Sequence, residues 1–146
     1  MKHHLISGLF AGSAILLLAL LTRHTEVGFM IAPFGASAFL VFAFSESPVT
    51  RPRNILGGYL LSALIGVTAH WLLPDSDLMM ALALALAVFT MLSLGVAHPP
   101  AAGVPILAYL THASWSFVLA PVLAGAVIIA LMGEGYRRML TGTRDR

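Results

Sequence analysis

Two short stretches hold the residues best suited to chemistry: Ala32-Pro33-Phe34-Gly35-Ala36-Ser37-Ala38 and His98-Pro99-Pro100-Ala101-Ala102-Gly103-Val104. Proline fixes φ, removes a backbone donor and pushes its predecessor toward extended geometry, yet it suits the first turn of a helix. Each motif should therefore open a short helix after an extended entry, near 34–44 and 100–111, each about 16–18 Å long. The first amides of such helices lack partners and carry about half a positive charge, so they cannot face lipid. Two such ends approaching from opposite sides, lined by Gly and Ala so that a ligand can touch the backbone, make an anion site. The candidate binding residues are Phe34, Gly35, Ala36 and Ser37 on one side. On the other they are His98, Pro99, Pro100, Ala101, Ala102 and Gly103. Ser37 offers a hydroxyl donor. His98 stays open between two roles, donating to an anion or carrying a proton, and simply capping a turn. The prolines likewise either build the site or merely kink packed helices.

The elements that must position these motifs follow from composition. Of 146 residues, 59% are hydrophobic and only 10% charged, against roughly 25% charged in a soluble domain. Charge-free runs of 19, 21 and 56 residues follow Glu26, Arg53 and Asp77, where about 20 residues cross a bilayer. The chain reads as a polytopic membrane protein, one domain over 1–146, and a water-soluble globule is excluded. The N-terminal uncharged run Leu5–Leu21 has 17 residues, longer than the roughly 7–15 of a signal-peptide core, and predicts a retained first helix. Gly8 and Gly12 share one face there, which suits close helix packing or is ordinary membrane-helix composition.

Lys and Arg mark the cytoplasmic side. Lys2, the Arg51 and Arg53 loop, and Arg137, Arg138, Arg144 and Arg146 hold seven of the eight basic residues, whereas 74–77 holds none. With both termini inside, Leu5–Leu21 goes out, Val27–Phe44 returns, Ile55–Leu73 goes out, and three further segments near 78–94, 98–112 and 116–133 bring the chain back. The fold class predicted is all-α: four long transmembrane helices plus two half-helices, arranged as a 3+3 inverted repeat (5–73 and 78–133) with a basic cytoplasmic tail at 134–146. The alternating Ala81–Ala87 stretch is read as helix, because a lone strand leaves its backbone unpaired in lipid.

Several functions drop out. No Asp, Glu, Lys or Arg falls in a predicted span, which removes the usual cation ligands. Without Cys there is no thiolate site or disulfide. A net charge of +2 confined to short loops gives no nucleic-acid surface. His24, His70 and His112 fall near the outer surface, two of them beside Trp71 and Trp115, and match no metal-ligand spacing. No metal, cofactor or enzymatic activity is expected, since no carboxylate pair or Ser–His pair stands at a recognisable spacing. Arg53 and Asn54, at the entrance of the third segment, either gather anions in a cytoplasmic vestibule or fix topology and cap the helix. Gly58, Ser62 and Gly66 make a smooth face for packing or for a homodimer.

Phe34-Gly35-Ala36-Ser37-Ala38, then Pro52-Arg53-Asn54 with Gly57-Gly58, then His98-Pro99-Pro100-Ala101-Ala102 occur in that order. The set resembles the HPP family of integral membrane proteins over roughly residues 30–133. That resemblance implies four spanning helices and, for members in plastids and cyanobacteria, nitrite transport. The family often has Gly soon after the second Pro, where this chain has Ala101 and Ala102. The expected function is transport or channelling of a small monovalent anion, nitrite foremost, in the inner membrane of the cell. The rivals are a non-transporting assembly subunit and a channel for a small neutral solute.

Overall fold

The computed structural model describes residues 2–144, with side chains from 4 to 141. Arg146 of the basic tail lies outside the described residues. The chain forms α1 (Lys2–Thr25), α2 (Ala32–Ala43), α3 (Pro52–Leu72), α4 (Asp77–Ser93), α5 (Val104–Leu110) and α6 (Ala124–Arg144). Short 3₁₀ helices at Pro48–Thr50 and Pro99–Gly103 precede α3 and α5, and a wide-turned stretch at Val118–Leu123 leads into α6. Among the described residues there is no strand.

Proline opens most of these elements, as its geometry dictates. Pro33, Pro48, Pro52, Pro99 and Pro105 all lie in first turns. Ser76 caps α4 by accepting from the Met79 amide at 3.3 Å. The same helix stops at Leu94, because Gly95 (φ +64) reverses the chain while the Val96 amide bonds Met91 O at 2.9 Å.

Among the described residues three helices are long and apolar enough to cross a membrane: His4–Thr25, Pro52–Leu72 and Val118–Thr141. The expected fourth long span, α4, has 17 residues, about 25 Å of helix, because Gly95 ends it. Shorter apolar helices cover Ala32–Ala43 and Pro99–Leu110, over the stretches where helices were expected near 34–44 and 100–111. Near 118 the sequence suggested an unbroken segment, but Ala120 is extended (φ −143, ψ 125), as the residue before Pro121 tends to be. Residues 134–144 continue α6.

The helices pack out of chain order. The third helix lies chiefly against α4 and α5, and α6 against α2 and α1, with α3 and α6 touching along the middle. Glycines make these contacts close. Gly58 faces His98 Cβ, Met91 Sδ and Val96 O, and Gly66 lies flat on Pro105 and Ala108. In α6, Gly125 meets the Phe34 ring and Gly133 the Val41 side chain. Two clusters thus emerge: α1, α2 and α6 in one, α3, α4 and α5 in the other. Within the first, Tyr136 is fully buried among Phe10 and Phe42, and its hydroxyl lies 2.8 Å from Ser7 Oγ.

A Cβ added at Gly66 would stand 2.6 Å from Pro105 Cα, a backbone atom that cannot yield cheaply, whereas nothing lies within 4 Å of one at Gly12. Gly66→Ala should therefore destabilise the bundle by about 1–3 kcal/mol. Gly12→Ala should leave stability unchanged or slightly raised. Thermal unfolding of the two variants in detergent, beside wild type, checks the ordering.

Candidate functional site

The two proline breaks meet. A Cβ at Gly103 would lie 3.5 Å from Pro33 Cγ, so the start of α5 abuts the start of α2. Just beyond that contact, three polar side chains are linked. Ser37 Oγ lies 2.7 Å from Tyr59 Oη and 2.7 Å from His98 Nε2, and His98 Nδ1 lies 2.8 Å from Val49 O. A carbonyl only accepts, so Nδ1 holds the ring proton, and Nε2 of the neutral ring accepts from the Ser37 hydroxyl. Tyr59 must then donate to Ser37. The result is a one-directional chain, Tyr59 to Ser37 to His98, with the His98 N–H continuing it to the carbonyl of Val49. All three side chains have zero exposure, and every link is made, as burial of polar groups in an apolar bundle demands.

The surroundings hold the chain rigid. The Phe34 ring centroid lies 5.2 Å from that of Tyr59, and Tyr59 lies 5.5 Å from His98. Gly58 lets the backbone at 96–98 pass close over α3. Asn54 Nδ2 donates to Ala97 O at 3.0 Å, fixing the residue before His98. On the other flank, Thr50 Oγ1 donates to Ser47 O at 2.8 Å and Arg137 Nη1 to Thr50 O at 3.0 Å, so the loop presenting the Val49 carbonyl is stapled twice.

The predicted residues divide by position. Phe34, Ser37, His98 and Ala101 are buried at the junction, and Pro100, Ala102 and Gly103 border it half-buried. Gly35, Ala36 and Pro99 are exposed on the outside of the bundle. Asn54 is half-buried and spent on Ala97, whereas Arg53 is exposed and only distantly bonded to Leu94 O, at 3.4 Å. Arg53 lines a depression of about 530 Å³ together with Arg51, Arg137, Glu46 and Glu134. At the junction itself Ser37, Tyr59 and His98 are fully enclosed.

Sequence reasoning missed Tyr59 and the Val49 carbonyl. A hydroxyl-bearing ring in the middle of an apolar helix, directly after Gly57-Gly58, was the available signal, because a buried Tyr needs a partner. It also found no Ser–His pair, since Ser37 and His98 are 61 residues apart and only the fold joins them.

With this geometry in place, comparison with known proteins is informative. A description of the HPP transmembrane region matches residues 1–145. The chain belongs to the HPP family. Two curated transmembrane proteins of Dictyostelium discoideum are similar to it. One is 29% identical over 131 residues, covering 82% of this chain and 46% of the relative, and the other 30% identical over 129 residues, covering 80% and 42%. The HPP chain thus spans less than half the length of these relatives. No solved structure matches it. Family and apolar helices together make it an integral membrane protein, and the tripeptide His98-Pro99-Pro100 supplies the imidazole of the buried chain.

Removing the central hydroxyl breaks two hydrogen bonds and leaves Tyr59 Oη and His98 Nε2 buried without partners, at about 1–3 kcal/mol for each orphaned group. Tyr59→Phe orphans no donor, because Ser37 still donates to His98. Melting temperatures in detergent should therefore fall in the order wild type, Tyr59→Phe, Ser37→Ala.

Proposed function

We propose that this HPP protein is a transporter or channel for a small monovalent anion, with nitrite the first candidate, gated at Ser37. The observation that carries this reading is that Ser37, on α2, is bonded to Tyr59 and His98, both from the opposite cluster. Most other long-range side-chain bonds described stay within one cluster, such as Ser7 with Tyr136, Asn54 with Ala97 and Trp71 with Ala113. If the clusters rock against each other, Ser37 is where they must part. The hydroxyls of Ser37 and Tyr59 are then released together, and an oxyanion accepts from both. Protonated on both nitrogens, His98 supplies a third donor.

The inverted-repeat reading, with four longer and two half-length segments, gains support from the glycines. Gly58 and Gly66 in α3, and Gly125 and Gly133 in α6, are each eight residues apart and each face the opposite repeat's half-helix region. Gly66 meets Ala108 and Gly133 meets Val41, a reciprocal pairing with an offset of 67 residues that matches Pro33 to Pro100 rather than Pro99. Reciprocal exchange of the third helix is the packing expected when two inverted triplets move against each other. The basic end, with Arg51, Arg53 and Arg137, is assigned to the cytoplasm with both termini, by the retention of basic loops there. Its depression would gather the anion.

A second reading rests on the 2.7 Å Ser37–His98 contact, the spacing of a nucleophile and its base. Full burial of both residues favours transport over hydrolysis. Labelling of Ser37 by a fluorophosphonate would reverse that preference.

Uptake of labelled nitrite into proteoliposomes tests the main reading. Wild type should exceed empty vesicles. Ser37→Ala and His98→Ala should each lower the rate about tenfold to a hundredfold, the loss of about 1.5–3 kcal/mol for a hydrogen bond to a charged group. Wild-type rates equal to those of empty vesicles would sink the proposal.

A further inference from the structure

At the end of the bundle opposite the arginines, a second polar group has bonds left unmade. Tyr109 is 3% exposed, yet its hydroxyl is buried without a hydrogen-bond partner, and so is Nδ1 of His70. Their rings lie 5.4 Å apart, and the His112 ring lies 5.3 Å from that of His70. Asp75 Oδ2 approaches His112 Nδ1 at 3.7 Å. Buried polar atoms are nearly always satisfied, so two unpaired atoms on neighbouring rings mark this cluster out.

The chain also holds His112 in an unfavourable conformation. The fifth helix ends as α4 does: the Ala113 amide bonds Ala108 O at 2.9 Å and the His112 amide bonds Tyr109 O at 3.2 Å. Glycine fills the reversing position after α4. After α5 that position is His112, with φ +46, a conformation that residues other than glycine adopt less readily. Strain of this kind concentrates where a side chain has work to do.

Electrostatics decide the ligand. Both α3 and α5 point their carbonyl ends at this cluster, which disfavours an anion and favours a cation or a protonated imidazole. The neighbouring charges agree: Asp75, 3.7 Å from His112, and Glu26, which lines a cleft of about 390 Å³ with His112. No Lys or Arg lines that cleft. Imidazole exchanges protons near neutral pH, and two of them stand here next to the Asp75 carboxylate, so the cation this chemistry suits is a proton.

We propose that His70, Tyr109, His112 and Asp75 form a proton-binding station at this end of the bundle, so that the anion crosses together with one proton. The inference rests on the anion-transport reading and supplies its coupling ion. One proton with one monovalent anion moves no net charge, so an inward proton gradient alone should drive uptake.

The test is the ratio of initial nitrite uptake with and without an inward proton gradient, in proteoliposomes and with protein-free vesicles subtracted. Wild type should show several-fold stimulation, and an internal pH dye should report protons entering with nitrite. His70→Asn combined with His112→Asn should bring the ratio to about one; Asn tolerates the left-handed position at 112. Asp75→Asn, at an exposed site that spares the core, should lower the ratio partially. Gradient-independent uptake in wild type, or full stimulation in the double variant and in Asp75→Asn, overturns the proton station and leaves anion transport standing. No uptake under either condition overturns both.

Discussion

One hydroxyl group organises the interior. In an apolar bundle each buried polar atom must find a partner inside the protein, and Ser37 is the atom through which Tyr59 and His98 find theirs. Because Tyr59 stands on α3 and His98 at the break before α5, satisfying them fixes where α2 must lie. The proline-started short helices, the glycine faces of α3 and α6, and the staples at Asn54, Thr50 and Arg137 all hold these three groups in register. Strength at a single bridging point also means that loosening there affects everything attached.

The exchange of α3 and α6 between the two clusters gives this bridge its leverage. A chain whose triplets packed only on themselves would place Tyr59 on the same side as Ser37, and the polar chain would lie inside one body. Exchange places it between two. The smooth packing that allows exchange depends on missing side chains: Gly66 on Pro105 and Ala108, Gly125 on Phe34, Gly133 on Val41. Helices brought this close in lipid are held by dispersion and shape rather than by expulsion of water.

Much of this could be read in the residues. Charge-free runs foretold the long apolar helices, and Pro33 and Pro99-Pro100 marked the starts of two short ones because proline acts locally, whatever surrounds it. The end of α4 fell where the sequence placed it, near 94, and the positive φ of Gly95 supplies the physical reason. The break at Ala120 was missed because Pro121 sits within an apolar run that composition reads as continuous. Ser37 and His98 were identified singly, but their contact spans 61 positions. Tyr59 was passed over because a partner on another helix is invisible in a linear pattern. Gly35 and Ala36 were expected to line the site from their small size, yet helix phase turns both outward while Ser37 turns in.

Depressions open at the two ends of the molecule, about 530 Å³ beside Arg53 and about 390 Å³ beside His112, and the sealed polar chain excludes solvent between them. In a polarised membrane the voltage drops chiefly where conducting water is absent, at about 2.3 kcal/mol per elementary charge per 100 mV. Neither depression is lined by Ser37, Tyr59 or His98, so the electric field would be spread over the whole packed interior between the two ends, with Ser37 inside it. Under the transport proposal, an anion would do its electrical work within that dry interior rather than in the two mouths.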